Sequence, residues 1–209
     1  MTIQEAKKQI VEYSKRLYNT QMVSVFEGNI SIRLDDRFVI TPTHTDKNIL
    51  TPEMIVEINE NGEVLNPECG KKVSTEWKMH IEAYRIRKDI KAIIHCHSPY
   101  ATAYAMCGKE ILPKGLTEAI EVFRKIPLVP YGRPGTVDIA AGFKDILPEY
   151  DAALLEAHGV IILDAELSEA YAKAEAVEKI ARMEFIASLL GGEKPLPEEE
   201  INVLKEMLK

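Results

Sequence analysis

Ala92-Ile93-Ile94-His95-Cys96-His97-Ser98-Pro99 is the stretch around which the chemistry-bearing residues of this 209-residue chain arrange themselves. Apolar and β-branched residues lead into it and Ser98-Pro99 closes it, so it reads as a buried strand that opens into a loop. Successive strand residues point to opposite faces, which puts His95 and His97 on one side and Cys96 on the other. Such a pair is either solvated and satisfied by backbone partners, or it is two teeth of a metal clamp suited to Zn²⁺, Fe²⁺ or Co²⁺. A catalytic zinc takes three protein ligands and keeps one position open, so the clamp needs a third ligand from elsewhere. The five histidines are His44, His80, His95, His97 and His158. His158, in Leu154-Leu155-Glu156-Ala157-His158-Gly159, also ends an apolar strand pattern and is the best candidate.

Outward from that stretch, the pattern alternates between strands and helices. Thr2-Ile3-Gln4-Glu5 has capping-box spacing, and Ile3, Ala6, Ile10, Tyr13 and Leu17 follow at near-helical intervals, so a helix covers about the first eighteen residues. Asn29-Ile30-Ser31-Ile32-Arg33 and Phe38-Val39-Ile40 read as a hairpin about Asp35-Asp36, and Ile55-Val56-Glu57-Ile58 with Glu63-Val64-Leu65 as a second about Asn61-Gly62. Ser74-Thr75-Glu76 caps a helix to about Arg87, with Glu76 in its first turn. A short helix is expected near 101–106, and 112–134, with four prolines, reads as mostly extended or loop. Thr136-Val137-Asp138 starts a helix to about Leu147. Residues 152–157 and 160–163 read as strands, 168–190 as a long helix closed by Gly191-Gly192, and a short charged helix follows. The sum is a single α/β layer domain over residues 1–209.

Composition narrows the class. A hydrophobic content of 46% supports a sizeable core, and a net charge of −7 argues against a general nucleic-acid or acidic-membrane surface. No basic start with an apolar core follows Met1, and no apolar run reaches about 18 residues, so the expectation is a cytoplasmic protein without a membrane partner. Cys69, Cys96 and Cys107 form neither a disulfide framework nor a CxxC unit and read as reduced thiols.

Three further places carry backbone amides and small hydroxyls. Gly28-Asn29 precedes the first strand, Thr41-Pro42-Thr43-His44 follows the second, and Ser74-Thr75 opens a helix whose free N–H groups attract anions. Each alone is an ordinary turn or cap; together they outline a phosphate cradle. Glu76 lies between that cradle and the histidine pair, as a ligand, a general base or a plain first-turn carboxylate.

The ordered set Gly28-Asn29, Thr41-Pro42-Thr43, Ser74-Thr75-Glu76-Trp77 with His80, His95-Cys96-His97-Ser98, Pro130-Tyr131 with Gly135-Thr136, and His158-Gly159 resembles the class II aldolase/adducin family over about residues 5–190. Within it, the likeness is to zinc-dependent sugar-phosphate aldolases of the fuculose-1-phosphate type. The resemblance implies a three-layer α/β/α fold with a central, largely antiparallel sheet, and a fourfold homotetramer with sites at subunit interfaces. It implies one Zn²⁺ per subunit on His95, His97 and His158, with Glu76 a ligand at rest and the base once substrate displaces it; the same donors take Co²⁺ or Mn²⁺. It places phosphate on Gly28, Asn29, Thr43, Ser74 and Thr75. The implied reaction is reversible cleavage of L-fuculose 1-phosphate or a similar deoxyketose 1-phosphate to dihydroxyacetone phosphate and a small aldehyde such as lactaldehyde, the metal acting as Lewis acid on the enediolate.

Some positions depart from the fuculose-type pattern. Related pentulose-5-phosphate 4-epimerases carry Asp where Glu76 stands, which favours the aldolase branch. Methylthioribulose-1-phosphate dehydratases share the histidines, lack this Glu ligand and use a Glu in the region of 116–120, where this chain has Glu118. Fuculose-type aldolases instead take a proton-donating Tyr from the neighbouring subunit; Leu116-Thr117-Glu118 holds none, and Lys209 does not match their tail tyrosine. The candidates for the proton donor are Glu118, Tyr131 and water. An epimerase or a dehydratase on the same scaffold is the alternative enzyme; retention of Glu76 and three histidines speaks against a non-catalytic adducin-like module. His44 stands where glycine is common, either as a loop histidine or, with Lys47, as charge for the phosphate. His80 is a satisfied core histidine or a buttress for Glu76, and Arg133 a loop charge or a contact to the aldehyde end.

Overall fold

A computed structural model describes residues 1–207 and places β4 (Ala92–Cys96) at the centre of a seven-stranded sheet. On one side lie β1 (Asn29–Arg33), β2 (Phe38–Ile40) and β3 (Val56–Ile58); on the other lie β7 (Gly159–Asp164), β6 (Ala152–Leu155) and β5 (Leu128–Val129), in that spatial order. All neighbours are antiparallel except β5 and β6. The register sets His95 opposite Asn29 on β1 and Ile161 on β7. Lys209 lies outside the described residues.

The two-residue alternation of the central strands divides the core. Ala92, Ile94 and Cys96, with Ile30, Ile32, Val160 and Ile162, join one apolar cluster beneath α1 (Ile3–Asn19), α3 (Pro99–Met106), α4 (Thr117–Phe123) and α6 (Leu167–Leu189). Ile93, Ile161 and Leu163 face the other way, onto Met79 and Tyr84 of α2 (Trp77–Ile86) and Phe143 of α5 (Phe143–Ile146). Helices therefore cover both faces of a largely antiparallel sheet, the expected α/β/α arrangement, and α7 (Glu198–Glu206) ends the described chain against α4. The α1 capping box forms on both sides, with the Thr2 amide donating to Glu5 at 2.6 Å and the Glu5 amide to Thr2 Oγ1 at 3.2 Å.

Four expectations need correction or refinement. Residues 112–134 are mostly extended or loop, as expected, but they also hold α4, which fits between Pro113 and Pro127 and ends where Arg124 turns to φ 54. The second hairpin has only one strand of any length, and its return is a single bridge of Ile58 with Val64. Thr136 caps a 3-10 turn over Val137–Ala140, and α5 follows only after Gly142. α2 starts at Trp77, so Glu76 is its N-cap residue instead of a first-turn residue, which frees its side chain to point away from the helix. Among the described residues no helix is long and apolar enough to cross a membrane.

Candidate active site

His95 is fully buried at the end of β4, and its Nδ1–H donates to the Val160 carbonyl at 2.8 Å. That bond fixes the tautomer and turns a bare Nε2 inward. His97 lies one residue past the strand, yet its ring swings to the same side and sets Nε2 2.9 Å from His95 Nε2. His158 occupies the tight β6–β7 turn, where Ala157 takes φ 56 and the His158 amide donates to the Leu155 carbonyl at 3.0 Å. One ligand atom from each of the three histidines lies within 4.8 Å of the other two. Gly159 makes the approach possible: a Cβ there would sit 2.6 Å from the Cys96 carbonyl oxygen and 2.8 Å from His97 Cδ2.

Glu76 closes the cluster. Its Oε1 lies 3.0 Å from His158 Nε2 and its Oε2 3.4 Å from His95 Nε2, while Asn29 Nδ2 donates to Oε2 at 2.7 Å. Burial opposes the charge on Glu76, but His95, His158 and Asn29 outweigh it and hold the carboxyl far below its ordinary range. Burial also pushes His95 down to about 3 and lowers His97. The site thus gathers neutral rings at His95 and His97, the His158 imidazole and a carboxylate, a set of donors that a divalent cation takes in their deprotonated form. The donor set fits a metal; nitrogen and carboxylate donors suit zinc, cobalt and manganese alike.

The cradle candidates gather at the same end of the sheet. Gly28 takes φ +68, and a Cβ on it would meet the His95 carbonyl oxygen at 2.8 Å. The Thr43 amide donates to the Lys72 carbonyl at 3.0 Å, and Pro42 bridges Val73, which draws the Thr43 turn beside Ser74. Ser74 is buried and accepts from the Glu76 amide at 3.3 Å, so its own hydrogen is left to donate, while Thr75 is exposed. His44 takes φ 46, a left-handed backbone that explains why glycine suits the position, and its exposed ring meets Phe26 edge-on at 6.3 Å. Lys47 is buried, which lowers its pKa to about 8.

Other candidates lie apart. Glu118 is exposed on α4, accepts from the Thr117 hydroxyl at 3.0 Å, and among the described residues has no hydrogen bond or ion pair with the histidines or Glu76. Tyr131 is 61% exposed, its amide donating to Glu156 at 2.8 Å, and Arg133 is exposed too. Sequence reasoning passed over Ser31 and Tyr84, which join His80 and Asn29 in one buried network, and Glu27, whose Oε1 lies 3.9 Å from His97 Nδ1. The readable signal for the network was polar alternation at 29 and 31 on β1, facing a helix with polar residues one turn apart.

A histidine triad closed by a carboxylate, at one end of a mixed seven-stranded sheet, agrees with what similarity to known proteins shows. The family pattern described as the Class II Aldolase and Adducin N-terminal domain matches residues 8–185. The chain belongs to this family. It is a class II aldolase, and so a lyase. The L-fuculose phosphate aldolase of Methanococcus maripaludis is 32% identical over 183 residues, covering 87% of this chain and 97% of that protein. The 5-deoxy-D-ribulose 1-phosphate aldolase of Bacillus thuringiensis serovar kurstaki is 32% identical over 206 residues, covering 98% and 95%. A solved structure of L-fuculose 1-phosphate aldolase superposes on the aldolase with a TM-score of 0.88 at 29% identity, covering 97% of this chain and 95% of the other. The expected family and α/β fold therefore hold.

Proposed function

We propose that this aldolase reversibly cleaves a ketose 1-phosphate, L-fuculose 1-phosphate or a similar deoxyketose 1-phosphate, to dihydroxyacetone phosphate and a small aldehyde such as lactaldehyde. The observation that carries the reading is the Glu76 carboxylate, 3.0 Å from His158 Nε2 and 3.4 Å from His95 Nε2. Those distances support a carboxylate that meets a metal at rest and works as a base when substrate displaces it. The substrate class is supported by relatives named for fuculose and deoxyribulose phosphates.

In this reading His95, His97, His158 and Glu76 hold one Zn²⁺ per subunit. Bound there, the metal supplies Lewis-acid stabilisation of the negative charge that develops beside the substrate carbonyl. Gly28, Asn29, Thr43, Ser74 and Thr75 bind the phosphate through small hydroxyls, a carboxamide and close-approaching backbone. In synthesis the Glu76 carboxylate takes a proton from C3 of dihydroxyacetone phosphate, the C3–C4 bond forms and a second group gives a proton to the C4 oxygen; cleavage runs the same transfers backwards, from a Glu76 that has first taken a proton from solvent. Glu118, exposed in its own chain, is the candidate for the C4 oxygen, supplied from a neighbouring copy in a homotetramer, with Tyr131 and water as the alternative proton carriers. The enzyme works in the cytoplasm on a small soluble substrate, with neither nucleic acid nor membrane as partner.

The test is product analysis of zinc-loaded protein with L-fuculose 1-phosphate, 5-deoxy-D-ribulose 1-phosphate, ribulose 5-phosphate and methylthioribulose 1-phosphate, following dihydroxyacetone phosphate by a coupled reductase. Release from a ketose 1-phosphate is expected. Epimerisation of ribulose 5-phosphate, or dehydration of a methylthioribulose phosphate, with no such release would overturn the substrate and the reaction together.

A further inference from the structure

Beneath α2 the sheet buries four polar side chains that the aldol chemistry leaves unused or uses only in part. Asn29 and Ser31 alternate on β1 and so share a face, and His80 and Tyr84 lie one turn apart on α2. None is more than 5% exposed. Asn29 Nδ2 donates to Glu76 Oε2 at 2.7 Å, and Asn29 Oδ1 meets His80 Nε2. Ser31 Oγ lies 2.7 Å from His80 Nδ1 and 2.9 Å from the Tyr84 hydroxyl, which also reaches the carbonyls of Ser31 at 3.0 Å and Lys91 at 3.2 Å.

Charge sets the direction of every bond in this chain. A carboxylate only accepts, so Asn29 turns its NH₂ toward Glu76 and its oxygen toward His80. His80 must then carry its hydrogen on Nε2. Burial keeps the ring neutral, with a pKa pushed down to about 4, so Nδ1 is bare and takes the Ser31 hydroxyl hydrogen. Tyr84 spends its single hydrogen on the oxygens around it. A flipped Asn29 would set its oxygen against the Glu76 carboxylate, a clash that no change of His80 tautomer and no turn of the Ser31 or Tyr84 hydroxyl relieves.

We infer that His80, locked by Ser31 and Tyr84, is a positioning residue that fixes the Asn29 carboxamide and through it holds the Glu76 carboxylate between His158 and His95. It touches neither metal nor substrate. The inference rests on the aldolase reading in one respect, the double duty of Glu76 as ligand and proton carrier.

Two variants of similar size separate positioning from packing. In His80→Gln the amide nitrogen stands near the place of Nε2 and still donates to Asn29, whereas His80→Met fills the space without a donor. The readouts are zinc affinity by competition with a chelating dye, and kcat. His80→Met is expected to weaken zinc binding roughly 10- to 100-fold, the usual cost of losing an outer partner of a ligand, and to lower kcat; His80→Gln is expected to recover most of both. Equal behaviour of the two variants would overturn the inference, because a packing role favours Met at least as much as Gln. If His80→Met does not fold, Ser31→Ala removes the donor to Nδ1 together with the contact to the Tyr84 hydroxyl, which keeps its bonds to the Ser31 and Lys91 carbonyls, and is expected to weaken zinc binding in the same direction; unchanged affinity would overturn the inference. A wild-type protein that takes up no zinc would overturn the site itself and the inference with it, whereas zinc-binding wild type with equivalent Met and Gln variants would overturn the inference alone.

Discussion

Gly159→Ala places one methyl group where three elements converge. The new Cβ would lie 2.6 Å from the Cys96 carbonyl oxygen, 2.8 Å from His97 Cδ2 and 3.3 Å from His95 Cε1, all closer than ordinary van der Waals contact. The carbonyl belongs to β4, held opposite Val160 in the ladder, so it cannot yield without disturbing the centre of the sheet. The softer neighbours are the two imidazole rings that present Nε2 to the site. Overpacking of this kind costs about 1–3 kcal/mol. At roughly 2–4 °C per kcal/mol for a chain of this size, Tm should fall by about 2–12 °C. Metal sites tolerate ligand displacements of only about 0.2 Å, so the same methyl group should weaken zinc binding at least about tenfold. Thermal unfolding of metal-free protein reads the steric cost, and zinc titration reads the displaced ligands. A Gly159→Ala protein with the wild-type Tm and the wild-type zinc affinity would refute this account of why the three histidines meet.

Three other outcomes follow from the structure. Lys7 Nζ and Arg37 Nη1 both bind the Glu57 carboxylate, at 2.7 Å and 3.0 Å, with Lys7 and Glu57 buried; Glu57→Leu strands a buried ammonium and should cost about 3–5 kcal/mol in denaturant unfolding, well above Lys7→Met, which leaves Glu57 paired with Arg37. Burial lowers the His80 pKa from 6.5 to about 4, so the unfolded chain binds the proton more readily between those values. Stability is therefore full above pH 6.5 and lost as pH falls toward 4, by roughly 3 kcal/mol from this group at 1.36 kcal/mol per unit, and urea titrations of His80→Gln should show a correspondingly flatter profile than wild type. Zinc at about 100 times its Kd should stabilise wild-type protein by about 2.7 kcal/mol, and His95→Ala should lose most of that gain in the same thermal scan.

Much of the fold was legible because its signals are local. Thr2 and Glu5 announce α1 through side chains that cap it, and the unbroken apolar run leading into His95 announces β4 because both its faces are buried. The histidine triad was legible because metal chemistry restricts the residue types that can serve. What failed were stretches decided by distant contacts. α4 begins at Thr117 without a side-chain cap and lies among prolines, so its sequence carries loop signals while Ala119, Ile120 and Phe123 find a core built by other elements. Ser74 reads as a cap, yet the cap position passes to Glu76, whose backbone leaves the helix while its side chain turns to the histidines. The partners of His80 come from β1, about fifty positions earlier in the chain, and the pairing of β1 with β4 that brings Asn29 opposite His95 is a matter of register.

The central claim, that Glu76 moves a proton at the hydroxymethylene carbon of dihydroxyacetone phosphate, can be read without any aldehyde. Zinc-loaded protein is incubated with dihydroxyacetone phosphate in D₂O, and the hydroxymethylene protons are followed by NMR. Wild type is expected to exchange one of the two protons stereospecifically, and Glu76→Gln is expected to exchange neither. No exchange by zinc-loaded wild type, or equal exchange by Glu76→Gln, would contradict the role given to Glu76.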